Sequence, residues 1–305
     1  QRQMCIRDRP VTAQTNPTIY GSVVFGHEWE DMEAPPYGLY SMPADNGNAI
    51  KLEVRNDAIK ANGGGVYVDG MYHLVDFTRY EFEQVVTFRT FDTKNNWKLI
   101  NEQTIKSYSS AASDLTYDPV GDKIYGCFKE TATSTQYFLG TLNPITGFAS
   151  KIADIDEELI VLASTRDGKL YGVGTYGMLY SVDKQTGKLT KIGQTGKSVK
   201  YSQSATFDYA SGRMLWAMTP HYTNESPELC EIDLSTGKTT TLATIPERYE
   251  FTGIYTLSPY AADNAPQTAT AFGGKYEKGA LSGTVSFTAP TATMGGSTLS
   301  GSLSY

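Results

Sequence analysis

Short apolar runs that alternate with polar residues recur along the chain in pairs, each pair joined by a turn built on Asp or Gly. In Val66-Tyr67-Val68-Asp69-Gly70-Met71-Tyr72-His73-Leu74-Val75 the two halves have the period of two that puts every second side chain on one sheet face. The pattern returns at Leu115-Thr116-Tyr117-Asp118 with Gly121-Asp122-Lys123-Ile124-Tyr125-Gly126, and at Ser164-Thr165-Arg166-Asp167-Gly168-Lys169-Leu170-Tyr171-Gly172. A further copy is Thr206-Phe207-Asp208-Tyr209 with Gly212-Arg213-Met214-Leu215-Trp216. Asp-Gly and Ser-Gly supply the positive φ of a tight hairpin, so each copy predicts two antiparallel strands, A and B, of one repeating unit.

A second hairpin follows each pair. It reads Leu142-Asn143-Pro144-Ile145-Thr146-Gly147, Val182-Asp183-Lys184-Gln185-Thr186-Gly187-Lys188 and Ile232-Asp233-Leu234-Ser235-Thr236-Gly237-Lys238, with degenerate copies at Phe91-Asp92-Thr93-Lys94-Asn95-Asn96-Trp97 and Met42-Pro43-Ala44-Asp45-Asn46-Gly47. These are turns between strands C and D. Their anchors Asp92, Asn143, Asp183 and Asp233 are separated by 51, 40 and 50 residues, the period of a four-stranded propeller blade. Five such turns predict five blades.

The ends of the repeat predict how it closes. Gly253-Ile254-Tyr255-Thr256-Leu257-Ser258-Pro259 aligns with the A strands and has no B strand after it, whereas Ile19-Tyr20-Gly21-Ser22-Val23-Val24-Phe25 reads as a B strand with no A before it. One blade assembled from both ends would hide two otherwise unpaired edges. The expectation is an all-β, five-bladed β-propeller over residues 18–260, closed by pairing of N- and C-terminal strands. A stack of β-sandwiches also gives short strands and frequent turns, but does not explain two alternating turn signatures.

Outside the repeat the texture changes. Gln1 to Arg9 matches neither the pattern nor the composition of the rest of the chain, and Met4-Cys5-Ile6-Arg7-Asp8 looks like a translated sequencing adapter, so residues 1–9 are read as non-native. Residues 10–17 read as an exported N-terminal linker, since Val11-Thr12-Ala13-Gln14 resembles the small-residue end of a secretory signal. Within 261–305, Ala280-Leu281-Ser282-Gly283-Thr284-Val285-Ser286-Phe287-Thr288-Ala289-Pro290 alternates apolar and small polar residues before a Gly295-Gly296 turn. It resembles the opening strands of a fibronectin type III domain; such an immunoglobulin-like sandwich needs roughly 100 residues, so a truncated module is expected.

Composition narrows the function classes. Lys and Arg total 26 against 33 Asp and Glu, a formal charge of −7, which gives no basic field for nucleic acid or an anionic membrane surface. No apolar run approaches the 18 or so residues of a membrane-spanning helix. The 21 Tyr, 12 Phe and 29 Gly suit many short strands joined by tight turns. Of the three cysteines, Cys127 and Cys230 fall inside apolar segments of non-adjacent blades and are expected as separate buried thiols. A monomer without cofactor or metal is expected.

Taken together, Ile19-Tyr20-Gly21, Pro36-Tyr37-Gly38-Leu39-Tyr40-Ser41, Asn62-Gly63-Gly64-Gly65-Val66-Tyr67 and Ser286-Phe287-Thr288-Ala289-Pro290 resemble secreted bacterial multidomain proteins in which an N-terminal propeller-like region precedes fibronectin type III modules. The resemblance implies export and residence at the cell surface or in the matrix. It transfers no catalytic residue.

In such a ring the B to C and D to A connections share one face, and here they are the long ones: Gly26 to Pro36, Phe77 to Gln84, Lys129 to Gln136 and Thr219 to Glu228, with Asn56 to Gly64, Ile105 to Ala112, Gly193 to Gln203 and Ile245 to Glu250. Long loops on a rigid scaffold concentrate recognition residues. Candidate ligand contacts are His27, Glu28, Trp29, Asp31, Tyr80, Tyr108, Tyr201, His221, Tyr222, Arg248 and Tyr249, because flat aromatic faces beside carboxylates suit a glycan or a peptide; the alternative role for the aromatics is to cap the core. His27 and His221, with Glu28 or Glu225, lack a third nitrogen or thiolate ligand for a metal, and His73 reads as a packed residue.

Catalysis has thin support. Asp114 is the single ionisable group on an inner strand that is not better explained as a turn former, as Asp118 and Asp208 are, and glycoside hydrolysis needs two carboxylates at fixed separation. No nucleophile elbow, Walker loop, zincin or C-x-x-C motif occurs. The Asp-x-x-Thr-Gly turns lack the carboxylate density of a calcium loop. The sequence therefore points to a secreted or cell-surface, non-enzymatic binding or scaffold propeller for an extracellular glycan, protein or peptide. A propeller glycoside hydrolase or lyase and a passive spacer for a downstream domain are the alternatives.

Overall fold

The computed structural model describes residues 16–24, 34–77, 85–106, 108–130, 135–199, 203–221, 225–257, 270–276 and 283–292. From the N-terminal end, β1 (Thr18–Val24), β2 (Gly38–Pro43) and β3 (Lys51–Arg55) form three strands of a first sheet. Complete four-stranded antiparallel meanders come next. They are β4 (Gly65–Val68) to β7 (Lys98–Ile105) through β5 (Met71–Phe77) and β6 (Val86–Asp92), then β8 (Ala112–Asp118), β9 (Lys123–Lys129), β10 (Tyr137–Leu142) and β11 (Ala149–Ile155). The fourth holds β12 (Leu159–Ser164), β13 (Leu170–Gly174), β14 (Met178–Val182) and β15 (Leu189–Gln194). The fifth holds β16 (Ser204–Asp208), β17 (Arg213–Met218), β18 (Glu228–Ile232) and β19 (Thr239–Thr244).

Then β20 (Glu250–Thr256) returns to complete the first sheet in the order β20-β1-β2-β3, pairing Ile19 with Thr256, Tyr20 with Tyr255 and Val23 with Phe251. The predicted closure is therefore present, and the inner strands β20, β4, β8, β12 and β16 adjoin one another in a ring. The chain is an all-β five-bladed propeller.

Five buried clusters sit between consecutive blades, and one of them spans the closure. Ile19, Val23, Tyr40 and Met42 of the first blade pack with Phe251, Ile254, Leu215, Ala217 and Leu229. Blades one and two share Leu39, Tyr72, Leu74, Phe91 and Tyr255, and blades four and five bury Trp216 with Val161, Val173, Phe207 and Met218. Because each blade presents one apolar face to each neighbour, strands near the axis are buried on both faces: every residue of Leu159–Ser164 is buried, and all but the first of Arg213–Met218.

The outer ladder between strands C and D carries a register shift in every blade, at equivalent positions Leu39/Tyr40, Leu139/Gly140, Leu179/Tyr180 and Leu229/Cys230 in blades one, three, four and five, and nearer the turn, at Thr90/Phe91, in blade two. A bulge there increases the local twist and turns the edge strand away from flat pairing. It also lets the C to D turns reach back onto the preceding blade: a Cβ at Gly147 would lie 2.4 Å from Phe88, one at Gly187 2.9 Å from Ala153, and one at Gly237 2.4 Å from the Gly193 oxygen. These three glycines have φ of +70°, +70° and +79°. The Thr-Gly signature is thus required twice, by the turn and by the close approach.

The predicted hairpin formers behave as such. Asn143, Asp183 and Asp233 each accept backbone N–H groups from two and three residues onward. Asp118 accepts the Val120 N–H at 3.1 Å and Asp208 that of Ser211 at 3.0 Å. Asp118 does more than turn the chain: its fully buried carboxylate also meets Lys184 Nζ at 2.5 Å, tying blade three to the C to D turn of blade four. His73 is packed, as expected, with Nδ1 2.9 Å from Thr90 Oγ1 and its ring stacked on Phe88; burial pushes its pKa down to about 4, so it is neutral.

Residues Leu257–Tyr305 form a separate compact unit. Its described strands, β21 (Thr270–Tyr276) and β22 (Gly283–Thr288), make one antiparallel hairpin. Among the described residues no sandwich is formed.

Candidate functional site

The face that carries the long connections holds a groove of about 510 Å³ lined by Gly196, Lys197, Ser198, Met218, Glu225, Ser226, Glu228 and Thr244. Two connections build it. The D to A segment after β15 and the B to C segment after β17 are joined by a bridge between Val199 and Pro220 and by the His221 N–H donating to the Ser198 carbonyl at 3.1 Å. Gly196 has φ of +76° with open space where a Cβ would be, which lets the segment turn without filling the groove.

One wall of the groove is a charged knot. Glu228 Oε2 accepts from Lys197 Nζ, from Thr241 Oγ1 at 2.8 Å and from Cys230 Sγ at 3.4 Å. Burial raises the Glu228 pKa, but the hydrogen bonds from Lys197 and Thr241 outweigh it and hold the carboxyl below its ordinary range. Glu225, on the facing loop, is exposed and its carboxylate has no partner among the described residues. The groove therefore offers several oxygen acceptors, one free negative charge and one cation already neutralised. It suits a ligand that brings hydroxyl or ammonium donors.

Of the sequence candidates, His27, Glu28, Trp29, Asp31, Tyr80, Tyr201 and Tyr222 lie outside the described residues. His221 is exposed on the loop that borders the groove. Tyr108 opens a short 3₁₀ turn, Tyr108–Ser110, between blades two and three. Arg248 and Tyr249 lie on the connection between β19 and β20. There the guanidinium sits 5.2 Å above the Tyr249 ring, and that half-buried ring meets the edge of Tyr40 at 5.7 Å and packs on the cluster between blades five and one. Tyr249 thus caps the core. Lys197 and Glu228 were not singled out from the sequence. They are 31 residues apart and come together only because consecutive blades adjoin, although both long connections were recognisable.

Asp114, the one carboxylate offered for catalysis, is sealed. It is 0% exposed; Leu162 and Ala205 N–H donate to Oδ2 at 3.1 and 3.0 Å, and Ser204 Oγ donates to Oδ1 at 2.9 Å. Ser204 Oγ in turn accepts the Ile254 N–H at 3.1 Å. One side chain thereby links the inner strands of blades three, four and five, and through Ser204 the closing strand of blade one. No substrate could reach it in this arrangement.

Cys127 and Cys230 are free and fully buried, in blades three and five, as the spacing implied. Burial pushes both thiols up, Cys230 to about 12, so neither is a thiolate near neutrality. In a Cys5→Ser background the native protein is expected to give no reaction with Ellman's reagent at pH 8, and two thiols after unfolding in guanidinium. A fast-reacting thiol in the native state would contradict this burial.

No family model and no curated protein sequence matches the chain. Among solved structures it is similar to TolB from Acinetobacter baumannii, at 13% identity over 75% of this chain and 53% of that one with a TM-score of 0.44. It is similar to a chain of a nidogen/laminin complex at 12% identity, over 78% and 97%, TM-score 0.44. A third similarity is to a GH43 β-1,3-galactosidase, at 16% identity over 60% and 45%, TM-score 0.39. The chain spans about half the length of the TolB chain it matches. Similarity of this depth assigns neither ligand nor activity.

Proposed function

We propose that this chain is a secreted or cell-surface binding propeller whose ligand, an extracellular glycan, sits on the face of the B to C and D to A connections. The groove lined by residues 196–198, Met218, Glu225, Ser226, Glu228 and Thr244, which holds the Lys197–Glu228 pair and a Glu225 carboxylate with no partner among the described residues, is the observation that supports this reading. Neutral sugars bring the hydroxyl donors that such a wall of acceptors can orient. The hydrolase alternative rested on Asp114, whose oxygens are already taken by donors from β12 and β16, with a relay through Ser204 to β20. The unit from Leu257 onward would be fibronectin type III-like, a reading supported by the alternating β22 sequence and the β21–β22 hairpin.

The test is binding to an array of neutral oligosaccharides, followed by calorimetry with any hit. Glu225→Gln, on an exposed side chain, is expected to weaken binding about tenfold while leaving the melting temperature unchanged. Trp29→Ala and Tyr222→Ala are expected to weaken it as well. A peptide that binds here, and not a sugar, would correct the ligand class; unaltered sugar binding by all three variants would remove the site, and no binding of either class would favour the passive spacer.

A further inference from the structure

A second groove, of about 580 Å³, lies at the opposite end of blades four and five, where A to B hairpins turn. Its lining comes from the hairpin tips Thr165, Arg166, Asp167 and Lys169 on one side and Tyr209 to Gly212 on the other, with Tyr171, Phe207 and Leu234 beneath. Tyr171, Tyr209 and Leu234 are each half-buried: one side packs on the cluster that holds Trp216, and the other faces the groove. The floor is therefore an apolar, largely aromatic shelf fixed to the rigid core. Tyr209 is held further by its hydroxyl, which donates to the Tyr117 carbonyl at 3.3 Å, and by ring packing on Phe207 at 5.7 Å.

The rim is cationic. Lys169 Nζ pairs with Asp167 at 2.8 Å, and Asp167 also accepts from Thr165 Oγ1 at 2.5 Å, so this carboxylate is committed. Arg166 is exposed and its guanidinium has no partner among the described residues. Neither feature is needed to make the turns. The equivalent hairpin of blade three places Val120 at its tip and Pro119 where blade five has Tyr209, and turns as well. Open space is built in at Gly212, which has φ of +73° and nothing within 4 Å of where a Cβ would be.

An aromatic shelf beside one unpaired guanidinium is complementary to a flat apolar ring attached to a carboxylate: the ring stacks on Tyr171 and Tyr209 while Arg166 takes both carboxylate oxygens. We infer that this groove is a second binding site, for a peptide segment in which an aromatic residue stands next to a carboxylate, either a C-terminal one or that of an adjoining Asp or Glu. It lies at the end of the ring away from the glycan groove and does not depend on that reading.

N-acetyl-phenylalanine is the probe, followed by amide NMR of the whole chain. It is expected to shift the Asp167, Gly168, Ala210 and Gly212 resonances with millimolar affinity, about 1 to 10 mM for so small a ligand. N-acetyl-phenylalaninamide, which lacks the carboxylate, is expected to bind at least about fivefold more weakly. Arg166→Gln should lose the same factor for the acid and nothing for the amide, with an unchanged melting temperature. Glu225→Gln should bind the acid as the parent does. Shifts absent from these four amides up to about 20 mM probe, or an Arg166→Gln protein that still prefers the acid, would overturn the site. Glucuronic acid binding as tightly as the aromatic acid would overturn the peptide assignment.

Discussion

Replacing Asp114 with alanine is expected to lower the free energy of unfolding by about 3–5 kcal/mol, and the melting temperature by on the order of 10 °C for a domain of this size. Three donors on two neighbouring blades, the Leu162 and Ala205 amides and the Ser204 hydroxyl, would lose their acceptor in a place no water reaches, since Leu162, Ser204 and Ala205 are all within 2% of full burial. Each orphaned group costs about 1–3 kcal/mol, and the losses overlap because all three share one side chain. Asp114→Asn keeps an oxygen for the two amides and is expected to cost less than half as much.

The same pair of variants tests the charge state. Burial pushes the Asp114 pKa from 3.8 to about 8, against the amide and hydroxyl hydrogen bonds that favour the ionised form. The folded protein therefore holds one more proton here than the unfolded chain between those two values. Stability from this group is complete below about pH 4 and is lost as pH rises through about 8. Asn carries no proton to lose, so the wild type's advantage over Asp114→Asn should narrow between pH 5 and 8 in denaturant titrations. An advantage that widens over this range, or an alanine variant within about 1 kcal/mol of wild type, would show that the carboxylate is not the clamp of the ring.

The ring itself was legible because its determinants are local. Asp-Gly and Thr-Gly turns, the period of two, and the complementary defects at Ile19 and Ile254 are each contained in a few residues, and together they specify blade number and closure. The clamp was not legible. Nothing in Ser113-Asp114-Leu115 distinguishes a carboxylate that accepts from two other blades from one that faces a channel, because its partners Leu162 and Ser204 are 48 and 90 residues away. The grooves were half legible: the loops after β15 and β17 could be found by length, whereas the Lys197–Glu228 pair depends on how one blade rests on the next. The second groove was missed because its turns are short, and turn length says nothing about an arginine or tyrosine placed on a turn that does not require it. The outer bulges were not legible either, since the residues at them, Leu39/Tyr40, Thr90/Phe91, Leu139/Gly140, Leu179/Tyr180 and Leu229/Cys230, share no distinctive type.

Closure should be most sensitive at Gly253, where Gly253→Val is expected to cost about 4 kcal/mol or more. Its φ of +56° is one that a β-branched side chain rarely adopts, and a Cβ there would lie 2.8 Å from both Gly65 Cα and the Tyr72 hydroxyl. Gly253 falls in the register shift between Tyr20 and Ser22 of the β1–β20 pair, so the closing ladder is already bent at this point. Tyr72 holds the bend by donating to the Gly253 carbonyl at 2.8 Å and accepting the Ser22 N–H at 3.3 Å. A larger residue would push β20 away from β4 and break the bridge that Tyr72 makes from blade two to both strands of the closure. The loss should be local before it is global: hydrogen exchange at the Ile19, Ser22 and Val23 amides should rise at denaturant concentrations where β12 and β13 stay protected. If the variant unfolds at the wild-type midpoint, or if protection falls equally in every blade, then the two chain ends do not hold the ring shut at Gly253.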